Sequence, residues 1–304
     1  MTSAIVLRAA TRASPLARWQ TDHVAALLAA VAHVSVETVL VETLGDRTQA
    51  LGTPLHQLGG QGVFVKEVQA AVLDGRADIA VHSAKDLPSA TADGLVIVAV
   101  PRRGDPHDAM IGSTLADLRE GAVIATGSVR RRAQLAQVRP DLHFAELRGN
   151  IGTRLDRAAQ FDAIVLAAVP LHRLGFEGRI AEILPTDVML PMVGQGALAV
   201  ECRADDDNTI ELVTRIDDRE SHDRVDAERS FLSRIGGGCD LPVGALATRT
   251  SDGRLRLEGL IASLDGRVIV RDSQLGDNPV ELGAKVAANV LSRGGEELLR
   301  GRPA

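Results

Sequence analysis

Four short segments of this 304-residue chain hold residue types that do chemistry. The first is His82-Ser83-Ala84-Lys85-Asp86-Leu87-Pro88, which follows the apolar run at 78–81. A carboxylate just past a strand, Asp86 beside Lys85, can steady a cation or carry a proton. The plain alternative is a polar turn closed by Pro88. The second is Thr126-Gly127-Ser128-Val129-Arg130-Arg131-Arg132. Small hydroxyl residues precede a helix start there, and free N–H groups at such a terminus attract anions. Arg in a first helical turn opposes the helix dipole, so a bound carboxylate would supply its reason; a solvated basic face is the alternative. The third, Leu147-Arg148-Gly149-Asn150-Ile151-Gly152-Thr153-Arg154, repeats that theme. Both turns are expected on the same edge of one sheet. The fourth is Gly237-Gly238-Cys239-Asp240-Leu241-Pro242, where a thiol between glycines reads either as an accessible nucleophile or as a buried structural thiol. Cys202 follows an apolar strand and reads as structural.

The elements that must position these segments alternate. Ile5-Val6-Leu7 reads as a strand. Ser14-Pro15 then reads as N-cap and first helical residue, and Leu16, Trp19, Val24, Leu27 and Leu28 form an apolar face. Strands are expected at 36–41, 78–81 and 95–100, with a helix through Val65, Val68 and Val72. Residues 45–62 form a Gly-rich stretch with the length of a lid or a disordered segment. A breaker-rich hinge, 101–106, leads to further strands at 123–125, 144–147 and 163–167, with helices capped by Ser128 and Asn150. A second breaker segment, 191–196, precedes the apolar run 197–200. Beyond about residue 219 the character changes. A helix over 224–234, three alternating strands at 243–248, 255–262 and 268–272, and a closing helix from about 281 to 299 are expected.

The expected architecture is therefore α/β: two lobes with a cleft between them and a small α+β C-terminal domain. Residues 1–100 and 194–218 would form the first lobe, carrying the Asp86 loop and the lid. Residues 101–193 would form the Arg-rich second lobe, and 219–304 the third domain with the Cys239 loop.

Composition narrows the function classes. The chain is 45% hydrophobic, 24% charged and only 2% aromatic, with a formal net charge of −6. That balance argues against a nucleic-acid binder, and few rings are available for base stacking. Only three of the 34 basic residues are lysines, at 66, 85 and 285. Between Arg102 and Arg157 ten Arg stand against seven acidic residues, a local surplus in an acidic chain. Arg grips carboxylates and phosphates bidentately, so the surplus suits an anionic ligand. No apolar run reaches membrane-spanning length, no secretory leader is evident, and scattered His and Cys offer no metal site. A cytoplasmic location is the expectation.

Taken together, the segments resemble the porphobilinogen deaminase (hydroxymethylbilane synthase) family. The likeness rests on Ala10-Thr11-Arg12-Ala13-Ser14-Pro15-Leu16-Ala17, the 82–88 and 147–150 segments, Val193-Gly194-Gln195-Gly196-Ala197 and Gly237-Gly238-Cys239. It runs from the first of these to the last and is weaker beyond Gly244. The resemblance implies three domains, the first two like a periplasmic-type binding clamp. It implies a transferase that condenses four porphobilinogen molecules head to tail into hydroxymethylbilane with release of ammonia. The chain would be primed on a dipyrromethane cofactor joined to Cys239 by a thioether. Each porphobilinogen brings two carboxylates, which explains a need for Arg and helix N-termini. By resemblance Asp86 is the catalytic carboxylate. Ser83, Lys85, Thr126, Ser128, Arg130 and Arg131 match contacts to the cofactor. Arg12, Ser14, Gln20, Arg148, Arg154, Arg173 and Gln195 match contacts to substrate. The resemblance further implies a monomer without nucleic-acid, membrane or metal partners, and a product passed to uroporphyrinogen-III synthase.

Three positions depart from the family's usual pattern: Gln61 replaces Lys, Gly127 replaces Ser and Pro170 replaces Gly. None touches Asp86 or Cys239. The rival expectation is a non-catalytic anion-binding clamp of two lobes.

Overall fold

The computed structural model describes residues 5–43, 65–236 and 241–300. In chain order its strands are β1 (Ile5–Thr11), β2 (Val34–Leu40), β3 (Ile79–Ser83), β4 (Leu95–Ala99), β5 (Asp108–Ile111), β6 (Val123–Ala125), β7 (His143–Ala145), β8 (Ala163–Ala167), β9 (Ile180–Leu184), β10 (Leu198–Arg203), β11 (Val243–Arg249), β12 (Leu255–Ala262) and β13 (Ile269–Gly276). Its helices are α1 (Pro15–Ala32), α2 (Lys66–Leu73), α3 (Val129–Val138), α4 (Ile151–Asp156), α5 (Ala168–Arg173), α6 (Asp207–Thr214), α7 (Arg219–Ile235), α8 (Pro279–Val290) and α9 (Glu296–Arg300). The expected 45–62 lid and the Cys239 loop lie outside the described residues.

The chain divides into two compact units, residues 1–104 with 197–223 and residues 105–196 with 224–304. The first is built on a five-stranded sheet in the order β2-β1-β3-β10-β4. Strand β1 pairs in parallel with β2 and β3, and β10 runs antiparallel to β3 and β4. The second unit holds a sheet of the same pattern, β7-β6-β8-β5-β9, in which β5 alone runs against its neighbours. In both sheets the reversed strand follows a passage of the chain from the other unit. A strand arriving that way has no preceding helix in its own unit to return it parallel.

Helix α1 forms where the sequence places it. Ser14 Oγ accepts the Ala17 N–H at 3.3 Å and Pro15 occupies the first turn. Val24 and Leu28 bury against Leu7, Ile79, Val81 and Val200. The same face buries Gln20 and Thr21, polar residues that an apolar stripe alone does not ask for.

The C-terminal segment of the second unit packs β11-β12-β13 against α7 and α8 around Phe231, Leu257, Ile261 and Val286. Its expected single closing helix is broken. Asn278 caps α8, which ends at Val290, and Gly294 turns to φ +108° before α9 begins. Four elements were not anticipated: β5, β9, α5 and α6. Each is eight residues or shorter, and α6 starts inside an acidic run that reads as loop. No helix among the described residues is long and apolar enough to cross a membrane.

Close approach of α7 and α8 depends on Gly283. A Cβ there would overlap the Ala227 carbonyl oxygen and stand 2.7 Å from the Phe231 nitrogen. Backbone atoms cannot swing aside, so Gly283→Ala is expected to lower stability by about 2–3 kcal/mol. Gly178, with nothing within 4 Å of an added Cβ, supplies the neutral control as Gly178→Ala. Urea unfolding of both variants checks this; equal midpoints would contradict the overlap.

Candidate active site

Strand β3 ends at Ser83, and one tight turn of helix, Ala84–Asp86, carries Asp86 beyond it. The turn is held from the side: the Ala84 N–H donates to the Ala197 carbonyl at 3.0 Å, and β10 runs alongside with Leu198 opposite Ser83. Asp86 lines a cavity of about 50 Å³ together with Arg12, Ser14, Gln20, His82 and Ser83. Gln20 Nε2 donates to Ser83 Oγ at 2.8 Å, which ties α1 to the end of β3. The Asp86 carboxylate makes no hydrogen bond or ion pair with another described residue. Five of the expected site residues, Arg12, Ser14, Gln20, Ser83 and Asp86, thus meet in one cavity of the first unit. His82 was not anticipated there. Its place as the penultimate residue of a strand ending in that turn was the available signal.

The second unit gathers another set. Ser128 caps α3 and accepts the Arg131 N–H, and Thr126 Oγ1 accepts the Ser128 N–H at 3.3 Å. Arg130 and Arg131 turn inward to Asp108. Arg130 Nη2 donates to Asp108 Oδ2 at 2.7 Å, and Arg131 Nη2 to Oδ1 at 2.8 Å. Their other donors reach carbonyls of Leu190 and Val165. Gln195 Nε2 completes the cluster on Asp108 at 2.9 Å. All of this is interior: the side chains of Asp108, Arg130 and Arg131 are 0%, 3% and 9% exposed. Burial pushes the Asp108 carboxyl up, but the two guanidiniums outweigh it and hold it at about 2. Burial lowers Arg130 despite its partner. Asp108 was missed because a single Asp opening a four-residue apolar run carries no motif.

Two guanidiniums on one carboxylate leave a surplus positive charge beside the N-terminus of α3. Arg130 Nε is buried with no hydrogen-bond partner, and Arg130 lines a cavity of about 10 Å³ with Ser128 and Leu241. An orphaned donor, a surplus cation and a helix N-terminus together fit an anionic group such as a carboxylate-bearing pyrrole. The third Arg of the run, Arg132, instead lies over the Phe144 ring at 5.8 Å.

The remaining expected residues are spread along the same sheet edge or beyond it. Arg148 Nε donates to Glu146 at 3.3 Å. Asn150 Oδ1 caps α4 by accepting the Thr153 N–H at 2.9 Å, and Arg154 sits within that helix. Gly149 precedes the cap at φ +116°, a conformation side chains rarely adopt. Gly127 lacks a Cβ where one would stand 2.9 Å from the Leu147 carbonyl oxygen, so two neighbouring turns can approach. Arg173 Nη2 donates to the Gly196 carbonyl at 2.9 Å, and burial lowers its pKa to about 10. Pro170 is buried within α5. Lys85 follows Ala84 in the Asp86 turn. Cys202 is buried in β10, and burial pushes its thiol up to about 11, so it is an unreactive structural group. Cys239 and Gln61 lie outside the described residues.

Comparison with known proteins gives concordant matches. The family described as "Porphobilinogen deaminase, dipyromethane cofactor binding domain" matches residues 7–211. The family described as "Porphobilinogen deaminase, C-terminal domain" matches residues 223–292. A porphobilinogen deaminase of Brevibacillus brevis is 44% identical over 295 residues, covering 95% of each chain. One from a Roseiflexus species is 48% identical over 299 residues, covering 96% of this chain and 97% of its own. Among solved structures, a methionine binding protein covers 71% of this chain and 92% of its own at 12% identity and a TM-score of 0.45.

Proposed function

Because this chain belongs to the porphobilinogen deaminase family, a family of transferases that carries a dipyrromethane cofactor-binding domain, we propose that it joins four porphobilinogen molecules head to tail into hydroxymethylbilane. The observation that carries this reading is the Asp86 carboxylate: it is half-buried, it has no protein partner among the described residues, and Arg12, Ser14 and Gln20 share its cavity. A carboxylate kept free among anion-binding groups has no purpose in simple anion capture, which disfavours a non-catalytic clamp.

In this reading Asp86 faces the pyrrole nitrogen. When ammonia leaves the substrate, positive charge spreads over the ring, and a carboxylate oxygen accepting the ring N–H stabilises it. The same oxygen can take up the proton released when the new carbon–carbon bond restores the aromatic ring. Arg12, Ser14, Gln20, Arg148, Arg154, Arg173 and Gln195 are assigned to the substrate side. Their cationic or N–H donors offset the carboxylates that each added ring brings. Ser83, Lys85, Thr126, Ser128, Arg130 and Arg131 are assigned to the cofactor. The bound dipyrromethane supplies the pyrrole carbon from which the chain grows. Asp108 keeps Arg130 and Arg131 apart and oriented, so that their surplus charge is present before any anion arrives. The thiol of Cys239 anchors the cofactor, being a good nucleophile toward an electron-poor methylene. We further read the protein as a cytoplasmic monomer that hands its product to uroporphyrinogen-III synthase.

Denaturing intact mass tests the anchor. Wild-type protein is expected to carry an added mass of two porphobilinogen units less their ammonia, and Cys239→Ala to carry none. An unmodified wild type that stays unmodified after incubation with porphobilinogen would refute the reading.

A further inference from the structure

Two carboxylates of the second unit meet its arginines in opposite ways. Asp108 is sealed in the interior, with Arg130 and Arg131 on its two oxygens at 2.7 and 2.8 Å. Glu146, one residue past β7, is open: its side chain is 68% exposed and that of Arg148 41%. Their contact is one hydrogen bond, from Arg148 Nε to Glu146 Oε2 at 3.3 Å. Neither side chain forms a hydrogen bond or ion pair with any other described residue. The same Glu146 oxygen lies against the turn that opens α3. A Cβ on Gly127 would stand 3.7 Å from it and 2.9 Å from the Leu147 carbonyl oxygen. A carboxylate of the protein thus sits between the two turns whose residues suit an external one, Thr126-Gly127-Ser128 and Leu147-Arg148-Gly149. A lasting ion pair with arginine is short, multiply bonded and dry, as at Asp108. A single long bond between exposed groups holds weakly and exchanges readily. Being tethered, Glu146 is present at a high local concentration, so a small free anion displaces it poorly. An arm of a ligand already held by other groups meets it on equal terms.

We propose that Glu146 is an exchangeable counter-ion of Arg148: it occupies the guanidinium at rest, gives way to a substrate carboxylate, and so selects against small free carboxylates. The exchange is one anion for another. Glu146 Oε2 releases the Arg148 Nε–H and turns to solvent, and the incoming oxygen accepts that hydrogen. Asp108 keeps its arginines throughout, because nothing outside reaches it. This rests on the assignment of Arg148 to the substrate proposed above. It adds a residue that sets affinity and selectivity without touching the reacting atoms.

The test uses the holoenzyme with porphobilinogen. Glu146→Gln keeps the shape of the side chain and an oxygen for Arg148, and removes the charge. It is expected to lower KM about two- to fivefold with kcat changed less than about twofold, the span an exposed ion pair covers. Acetate, a free monocarboxylate, should inhibit Glu146→Gln at about three- to fivefold lower concentration than wild type. Glu146→Asp, which keeps the charge, should stay near wild type. So should Glu297→Gln, which removes an exposed charge of α9. In an Arg148→Gln background the Glu146→Gln step should leave KM unmoved. Nitrogen-resolved NMR of arginine-labelled holoenzyme gives a readout free of turnover. Acetate should shift the Arg148 Nε signal at lower concentration in Glu146→Gln than in wild type. A raised KM would make Glu146 an orienting group and overturn the proposal. An unchanged KM, an equal fall in Glu297→Gln or in the Arg148→Gln background, or identical acetate titrations would overturn it as well. The titrations decide even where Arg148→Gln turns over too slowly to assay. A wild type that does not turn over porphobilinogen would instead strike the functional reading, with the exchange at Arg148 still measurable on its own.

Discussion

Asp86→Asn is expected to lower kcat by a factor of about 10² to 10⁴ while the protein keeps its stability. The size follows from the two tasks assigned to one group. In the proposed mechanism the carboxylate steadies charge that grows as ammonia leaves, and it accepts the proton that ends each addition. Asparagine keeps the shape and can still accept a hydrogen bond, but it carries no charge and takes no proton. Folding should survive because the Asp86 side chain makes no hydrogen bond or ion pair with another described residue. Its turn is held by backbone contacts, Ala84 to Ala197 and Leu87 to Ala84. Steady-state turnover and thermal unfolding of one preparation separate the two effects. Near-normal kcat would remove Asp86 from the chemistry. A large fall in Tm would show instead that the carboxylate supports the fold.

Asp108→Asn should do the reverse, damaging the fold first. The substitution leaves two guanidiniums, Arg130 and Arg131, inside the protein without their counter-charge. Breaking a buried pair this way costs roughly 3–5 kcal/mol. For a chain of this size Tm should fall by on the order of 10 °C. The pH dependence carries a definite sign. Asp108 sits at about 2 in the folded protein, below its ordinary value of 3.8. A group with a lowered folded pKa contributes stability in full above its unfolded value, and that contribution fades as pH falls toward the folded value. The gap in stability between wild type and Asp108→Asn should therefore be constant near neutral pH and narrow between about pH 4 and pH 2. A gap that stays constant down to pH 2.5 would contradict the assigned pairing.

Much of this molecule was legible from residue order because the physics there is local. Ser14, Ser128 and Asn150 were readable as helix caps, since a short oxygen-bearing side chain before an apolar period satisfies free N–H groups. The Asp86 loop was readable because an apolar strand ends abruptly in charged residues and Pro88. Cys202 was readable as structural from the strand around it, and it is buried. Elements shorter than about eight residues were not readable, since β5 and β9 show too few alternations to separate from loop. The single C-terminal helix was misjudged because Gly294 sits inside an otherwise unbroken helical pattern.

By itself, then, the sequence determined the α/β alternation, the caps, the Asp86 loop and the family motifs, all features set by neighbours within a few positions. Only the tertiary structure decided where the charges go. Arg130 and Arg131 read as groups waiting for an external anion, yet each is bound to Asp108 from 22 and 23 residues away. Glu201 reads as one more strand residue, yet it stands against His82 and against Gln69, 132 residues earlier. A charge buried at low exposure must find its partner wherever the fold brings one, and sequence separation holds no record of that distance.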